Sequence, residues 1–372
     1  MTVRRFPFRL PAIVWELETR PLRVPLIEPF VIATGRMETT DAIEVALTIQ
    51  QGGERYTGLG ECATLPPVTH ESPDEIRASI GALSLGGEAP PNAPDALADR
   101  LSSLGPVARA GVETAWLDAI ARAQGESLAE LLRKELAPGQ ELAFVHESDV
   151  TLPIASAEHM GELARGWTAR GFRSLKIKVG RALADDVAAI EAIVRAAPTA
   201  RLRLDANAAL TASEALTLLD RARSIGASIE LFEQPCRTED LAGMAEVVAR
   251  GAVPVVADES CKTLEDVDRL VEARAATGVN LKLVKNGGPL ASFAIGQRAR
   301  ACGLTIMAGA MVETRLGLSA MLHVVSALGG VEHVDLDTAL LLADDPYVGG
   351  YEEALPRLTL RAAAGLGVER RP

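Results

Sequence analysis

Lysine is scarce in this chain: six residues, at positions 134, 176, 178, 262, 282 and 285, stand against thirty-two arginines. Ordinary positive charge is carried by arginine, so a retained lysine is a candidate for chemistry, because an amine can release its proton whereas a guanidinium effectively cannot. Cysteine is sparse too. Cys62, Cys236, Cys261 and Cys302 are scattered without paired metal-ligand spacing, which argues against a disulfide framework or a thiolate metal site. The five histidines form no cluster. No apolar run reaches the roughly 18 residues that a membrane span needs, and residues 1–25 mix Arg, Glu and Pro without an apolar core followed by a cleavage site. A soluble, cytoplasmic protein is expected. A net charge of -12, with no lysine-rich tail and no arginine block beyond short pairs, argues against nucleic acid or membrane as partner and for a small molecule.

What is present points to a large core. With 372 residues and 48% hydrophobic content, the chain is expected to form two domains. From Ala12 to Gly60 the pattern alternates in strand fashion, as in Ala42 to Ile49, with Gln51-Gly52-Gly53 as a hairpin turn. Glu28 to Arg36 and Cys62 to Ser72 read as loops able to fold over a neighbouring site. Helical periodicity follows from Pro73 to Leu85 and from Val107 to Arg122, with Gly86 to Pro94 as the break between them. Residues 1–130 are thus predicted to be an α+β domain.

After Pro138-Gly139 strands alternate with alanine-rich helices. The predicted strands are Ala143–Leu152, Ser174–Val179, Arg201–Leu204, Ser228–Phe232, Val253–Ala257, Gly278–Leu283, Leu304–Met307 and Gly330–Val334. Their ends, at Thr151, Lys176, Asp205, Glu233, Asp258, Lys282, Met307 and Asp335, are spaced by 25, 29, 28, 25, 24, 25 and 28 residues, one βα unit per interval. Eight such units fit an α/β parallel barrel over 140–336, with a doubly wound sheet as the rival. The tail from about Asp337 to 372, including Leu358 to Arg361, is expected to return to the first domain.

Three strands end in an acid, Asp205, Glu233 and Asp258, which converge in a barrel. An oxygen-only donor set suits a hard ion, Mg2+ first and Mn2+ as the alternative. Any one acid taken alone is more simply a helix N-cap; three at successive strand ends favour the metal. Period-2 geometry turns Lys176 and Lys178 to one face of their strand. Lys282 ends a strand on the opposite side of the barrel, so Lys178 and Lys282 would face each other across a bound ligand, the geometry of a racemase. Lys176 and the ion would stabilise the charge that builds up when a carbon acid loses its proton. Such a base needs a lowered pKa, expected from a neighbouring ammonium and a divalent metal.

This combination resembles the enolase superfamily, and within it the muconate-lactonizing subgroup, over essentially the whole chain. Sites of that superfamily pair a Lys or His base with one or two Mg2+ ions. The resemblance implies a modified (β/α)7β TIM barrel under an α+β cap completed by the C-terminal tail. It assigns Lys176-Ile177-Lys178 to the Lys-x-Lys element, Asp205, Glu233 and Asp258 to the metal ligands, and Lys282 to the opposing base. The mandelate-racemase branch would need a histidine after strand seven, where this chain has Met307-Ala-Gly-Ala310. Asp335-Leu336-Asp337 resembles the Asp-x-Asp with which dipeptide epimerases hold a terminal ammonium, implying an isomerase that transfers a proton at the Cα of a dipeptide's C-terminal residue, with L-Ala-D/L-Glu as the example. Arg36 is expected to read the substrate side chain, although it falls one residue after the position where that family has its arginine. Thr151 and Glu313 are further ligand candidates, and Asn207 and Gln234 are expected to orient the metal ligands. The competing readings are an N-acylamino-acid racemase, an o-succinylbenzoate synthase or a muconate cycloisomerase on the same scaffold, and a non-catalytic ligand-binding barrel. A homo-oligomer is compatible with the sequence, which selects no interface.

Overall fold

Alternation of Ile43, Val45, Leu47 and Ile49, all buried, builds a long central strand, β2 (Gly35–Gln51), between β1 (Ile13–Ile32) and β3 (Glu54–Thr64). The three form an antiparallel sheet in the order β1-β2-β3, and Gly52 and Gly53, both at positive φ, turn the β2–β3 hairpin. The structure, a computed structural model, describes residues 13–32, 35–66, 68–83 and 101–372. Helix α1 (Pro73–Gly81) opens with a Ser72–Glu75 capping box. Helix α2 (Pro106–Gln124) lies on β3 so closely that a Cβ on Gly58 would fall 2.1 Å from the Ala115 carbonyl oxygen, and one on Gly60 2.0 Å from that of Gly111. Residues without a side chain are required there. Glu71 caps α2 by accepting from Val107 N and Ala108 N at 2.8 and 3.1 Å, which fixes the loop that precedes α1. Helix α3 (Leu128–Leu136) completes this layer.

The second half is a parallel eight-stranded barrel. It comprises β5 (Val150–Leu152), β6 (Ser174–Lys178), β7 (Arg201–Asp205), β8 (Ser228–Glu233), β9 (Val255–Ala257), β10 (Gly278–Leu281), β11 (Thr305–Gly309) and β12 (His333–Asp335), preceded by β4 (Val145–Glu147). Helices α4 (Ala157–Ala169), α5 (Leu183–Ala196), α6 (Ala212–Ser224), α7 (Leu241–Arg250) and α8 (Leu264–Ala273) follow the first five barrel strands. A one-turn helix α9 (Leu283–Asn286) with α10 (Pro289–Ala301) follows β10, and α11 (Arg315–Leu328) follows β11. A parallel bridge between Ser148 and Val334, with Asp149 N donating to Val334 O at 3.0 Å, joins the last strand to the first. The arrangement is (β/α)7β. None of the described helices is long and apolar enough to cross a membrane.

Several boundaries differ from the sequence expectation for identifiable reasons. The predicted strand Ala143–Leu152 is two strands: β4 pairs with β15 (Arg357–Leu360) of the tail, and after Ser148 and Asp149 the chain enters the barrel as β5. The tail strand Leu358–Leu360 therefore pairs beside the barrel, with β4 and β14 (Tyr351–Ala354), rather than with the first sheet. Other parts of the tail do reach the first layer. Leu366 N donates to Asp118 at 2.7 Å, and Tyr347 and Arg370, on β13 (Tyr347–Gly349) and β16 (Val368–Arg370), both bind the buried Glu44. Of the stretch expected to be a loop from Glu28 to Arg36, the described residues are strand: β1 runs to Ile32 and pairs with β2 through Val31↔Arg36 and Ile32↔Gly35. The expected break at Gly86 to Pro94 lies outside the described residues. Strand β10 stops at Leu281, because Lys282 is already the N-cap of α9.

Candidate active site

Parallel register brings the strand ends into one layer at the carboxyl face of the barrel. Lys178 pairs with Asp205 and Asp205 with Glu233, while Gly309 pairs with Asp335. On the eight-place ring, β6 and β10 stand four places apart, so Lys178 and Lys282 enter from opposite sides. Lys176 at 2% exposure, Lys282, Lys285 and the three acids are buried and Lys178 is nearly so, which requires that each ammonium find a partner.

The partners follow one pattern. Each of the three candidate ligand acids has one oxygen tied to a fixed donor and the other facing lysine. Asp205 Oδ1 accepts from Asn207 N at 2.9 Å, and its Oδ2 meets Lys178 at 2.6 Å and Lys176 at 3.1 Å. Glu233 Oε1 accepts from Asn280 Nδ2 at 2.8 Å, and its Oε2 meets Lys176 at 2.7 Å. Asp258 Oδ1 accepts from Lys285 at 2.6 Å, and its Oδ2 meets Lys282 at 2.7 Å. Among the described residues no three potential ligands close around one point as they stand, since ammonium groups lie among the acids. The donor set still fits a hard divalent ion: three buried carboxylate oxygens, one from each acid, have lysine as their cationic partner.

A lowered lysine pKa is expected beside a divalent ion; the carboxylates by themselves act in the other direction. Burial alone would lower Lys176, but Asp335, Glu233 and Asp205 outweigh it and hold the amine well above its ordinary value. Lys282 is likewise raised, against its burial, chiefly by Asp258. Both face carboxylates more closely than cations.

The remaining predicted residues fall into three groups. Asp335 accepts from Lys176 through Oδ2 at 2.7 Å and from the Thr151 hydroxyl through Oδ1 at 3.4 Å; burial opposes its ionisation, yet the Lys176 charge holds it well below the usual carboxylate range. Asp337 accepts from Thr151 N through Oδ2 at 2.6 Å, while its buried Oδ1 has no hydrogen-bond partner; burial and then Asp335 push this acid up to about 7. Gln234 braces main chain: its Oε1 accepts from Asp258 N and Ser260 N at 3.0 and 3.1 Å. Asn207 ties Asp205 through its main-chain N–H, whereas its side chain donates to Glu259 at 3.3 Å. Glu313 is buried, accepts from Met311 N at 2.9 Å, and is pushed up to about 7 by burial. Arg36 is exposed on β2 and pairs with Glu38 at 3.1 Å, so a self-contained surface pair occupies the position expected to reach the ligand.

Asn280 and Lys285 were not singled out as site residues from the sequence. Asn280 precedes Lys282 by two on the same strand face, and Lys285 is one of the six lysines, so both left a signal. A further buried carboxylate, Glu61 of β3, accepts from Thr314 N and Gly317 N at 3.1 Å each, at the start of α11. Thr40 Oγ1 also donates to Val312 O at 2.8 Å, fastening the first sheet to the loop after β11.

Comparison with known proteins identifies the family of the chain. Residues 159–372 match the enolase C-terminal domain-like family, and residues 15–133 match the mandelate racemase / muconate lactonizing enzyme N-terminal domain. An L-Ala-D/L-amino acid epimerase of Populus trichocarpa is 35% identical over 90% of this chain and 79% of its own length. The substrate-liganded L-Ala-D/L-Glu epimerase of Bacillus subtilis superposes with a TM-score of 0.88 at 31% identity, covering 95% of this chain and 98% of the other. The dipeptide epimerase of Enterococcus faecalis, complexed with Mg and L-Leu-L-Tyr, gives 0.86 at 30% identity over 96% and 99%. The chain belongs to the enolase superfamily, in its mandelate racemase / muconate lactonizing enzyme branch.

Proposed function

We propose that this protein is an Mg2+-dependent dipeptide epimerase, an isomerase that inverts the Cα of a dipeptide's C-terminal residue. The observation that carries the reading is the entry of Lys178 and Lys282 from opposite sides of the ring into one layer with the three half-tied acids. Asp205, Glu233 and Asp258 would hold the ion, Mg2+ or alternatively Mn2+, through the oxygens that face lysine. When bound, such an ion withdraws electrons from a carboxylate and eases loss of the proton on the neighbouring carbon.

The rest is work for the side chains. One of Lys178 and Lys282, as a neutral amine, removes the Cα proton, and the C–H electron pair stays on the substrate as an enediolate. The other, as an ammonium, delivers a proton to the opposite face of the same carbon. The two lysines have then exchanged protonation states, and solvent restores them. Lys176, buried and held charged by three acids, stabilises the developing negative charge. Asp337, with one oxygen fixed by Thr151 and the other unpartnered, accepts the substrate's terminal ammonium alongside Asp335. The first sheet and its helices, joined by parts of the tail, form the cap, the strands from β5 to β12 form the barrel, and the enzyme works in the cytoplasm on a small substrate, with no nucleic acid or membrane partner.

Incubation in D2O with Mg2+ tests the reading. A panel of L,L-dipeptides with acidic, small, aliphatic and aromatic C-terminal residues, L-Ala-L-Glu among them, is expected to include members that gain deuterium at the C-terminal Cα and epimerise. N-succinyl amino acids, which lack the ammonium, are expected to remain unlabelled. Labelling of the N-succinyl series without any dipeptide would move the assignment to the N-acylamino-acid racemases.

A further inference from the structure

Lys285 is absent from the mechanism above, yet it is among the most constrained side chains of the site. Its ammonium donates to Asp258 Oδ1 at 2.6 Å, to the Asp258 carbonyl at 2.7 Å and to the Asn280 carbonyl at 2.7 Å. A lysine has three N–H donors, so every one is used. The one-turn helix that carries it is fixed at several points. Lys282 N donates to Asn286 Oδ1 at 2.9 Å, and Asn286 Nδ2 donates at 3.3 Å to the carbonyls of Cys261 and Lys262, in the loop just after Asp258. Gly287 and Gly288, both at positive φ, then end the turn.

Building on the reading of Asp258 as a metal ligand, we propose that Lys285 is a positioning residue that apportions the two oxygens of Asp258. It holds Oδ1 and the main-chain carbonyl permanently, so that Oδ2 alone is presented to a cation. Lys282 makes one contact with Asp258, to Oδ2, whereas Lys285 makes two there and a third to β10. When a divalent ion takes Oδ2, Lys282 can leave while Lys285 keeps Asp258 compensated and oriented. The division of labour is therefore one mobile amine and one fixed amine on the same carboxylate. Asn207 N on Asp205 and Asn280 on Glu233 play the corresponding fixed part for the other two acids.

Three measurements test this. Calorimetric Mg2+ titration of the metal-stripped protein, without substrate, is expected to give a Kd about 10–100-fold weaker for K285M. K285Q, whose amide has two N–H donors for the three acceptors, is expected to fall between K285M and wild type. A folded variant of either kind that binds Mg2+ as the wild type does overturns the proposal. With six lysines in the chain, 15N-lysine labelling of the unmodified protein gives a readout that needs no folded Lys285 variant. Substitution of the other five in turn assigns the signals. The Lys285 ammonium is expected to be protected from solvent exchange and unmoved by Mg2+, while the Lys282 and Lys176 signals shift; a Lys285 signal that moves as far as that of Lys282 refutes the fixed role. If instead the wild type neither binds Mg2+ nor labels any dipeptide, the epimerase reading itself fails.

Discussion

Replacing Glu61 by glutamine probes how the cap is fastened to the barrel. The Glu61 carboxylate reaches from β3 to the first turn of α11, accepting from Thr314 N and Gly317 N at 3.1 Å and from Thr314 Oγ1 at 2.5 Å. Glu313 crowds the same turn, since a Cβ on Gly317 would fall 2.2 Å from its Oε2. Burial, reinforced by the charge of Glu313, pushes Glu61 from the usual 4.5 up to about 8, and burial raises Glu313 to about 7. A carboxyl raised in this way keeps a proton in the folded state that the unfolded chain releases. Its favourable contribution is present in full below pH 4.5 and is lost as the pH rises through about 8. Each unit of that window is about 1.4 kcal/mol, so roughly 2–3 kcal/mol is lost between about pH 6 and pH 8. Glutamine mimics the protonated acid, stays neutral, and keeps an oxygen for the helix donors. An unfolding entropy of about 2.1 cal/mol/K per residue makes each kcal/mol roughly 1.3 °C in Tm for a chain of this length. Scanning calorimetry is therefore expected to find the Tm advantage of E61Q over the wild type growing by about 3 °C between pH 6 and pH 8.5. A Tm difference that is constant across this range, or that moves the other way, refutes the reasoning.

Three further substitutions address the chemistry. K178M and K282M are each expected to lower epimerisation by about 10²–10⁴-fold. Each should retain slow deuterium exchange from one face only, the face differing between the two, as followed by NMR with both epimers; undiminished turnover in either would sink the two-base mechanism. At Gly309 a Cβ would fall 3.0 Å from the Asn280 amide and 3.1 Å from Lys282 Cε, so G309A must shift both by tenths of an ångström. Since a misplacement of about 1 Å costs roughly 10²-fold, kcat is expected to fall about 3–10-fold with KM little changed, and steady-state kinetics decide it.

How much of this was legible in the sequence depends on whether the signal was local. Asp205, Glu233 and Asp258 could be found because one βα unit recurs between strand ends, and Lys176 and Lys178 because alternation along a strand fixes which side chains share a face. The splitting of Ala143 to Leu152 was hidden, because what divides it is the pairing of β4 with a tail strand some two hundred residues away in the chain. The stretch before Arg36 reads as a loop for a related reason. Pro25 and Pro29 suggest an interruption, but β1 tolerates both at a register shift and continues to Ile32. The partition of carboxylate oxygens was beyond sequence reasoning, since it depends on which donor reaches which oxygen across three strands.

That partition explains why lysine is scarce and why it is concentrated where it is. Asp205, Glu233, Asp258 and Asp335 are buried together, and four buried anions would be strongly unfavourable without compensation. Lys176, Lys178, Lys282 and Lys285 provide four cations, each in direct contact with at least one of those acids. A metal-free barrel can therefore form with its charges paired. The lysines are not equivalent within this balance. Lys176 is shared among three acids and Lys285 is locked by three acceptors, so neither can readily leave, whereas Lys178 and Lys282 each form one ion pair with one oxygen. An incoming divalent charge that takes over those oxygens displaces Lys178 and Lys282, while Lys176 keeps its pair with Asp335 and Lys285 its bond to Asp258 Oδ1. The two amines so released are the ones that enter from opposite sides of the ring. On the proposed reading, the counterions that pair with the buried acids are also the proton carriers once an ion binds.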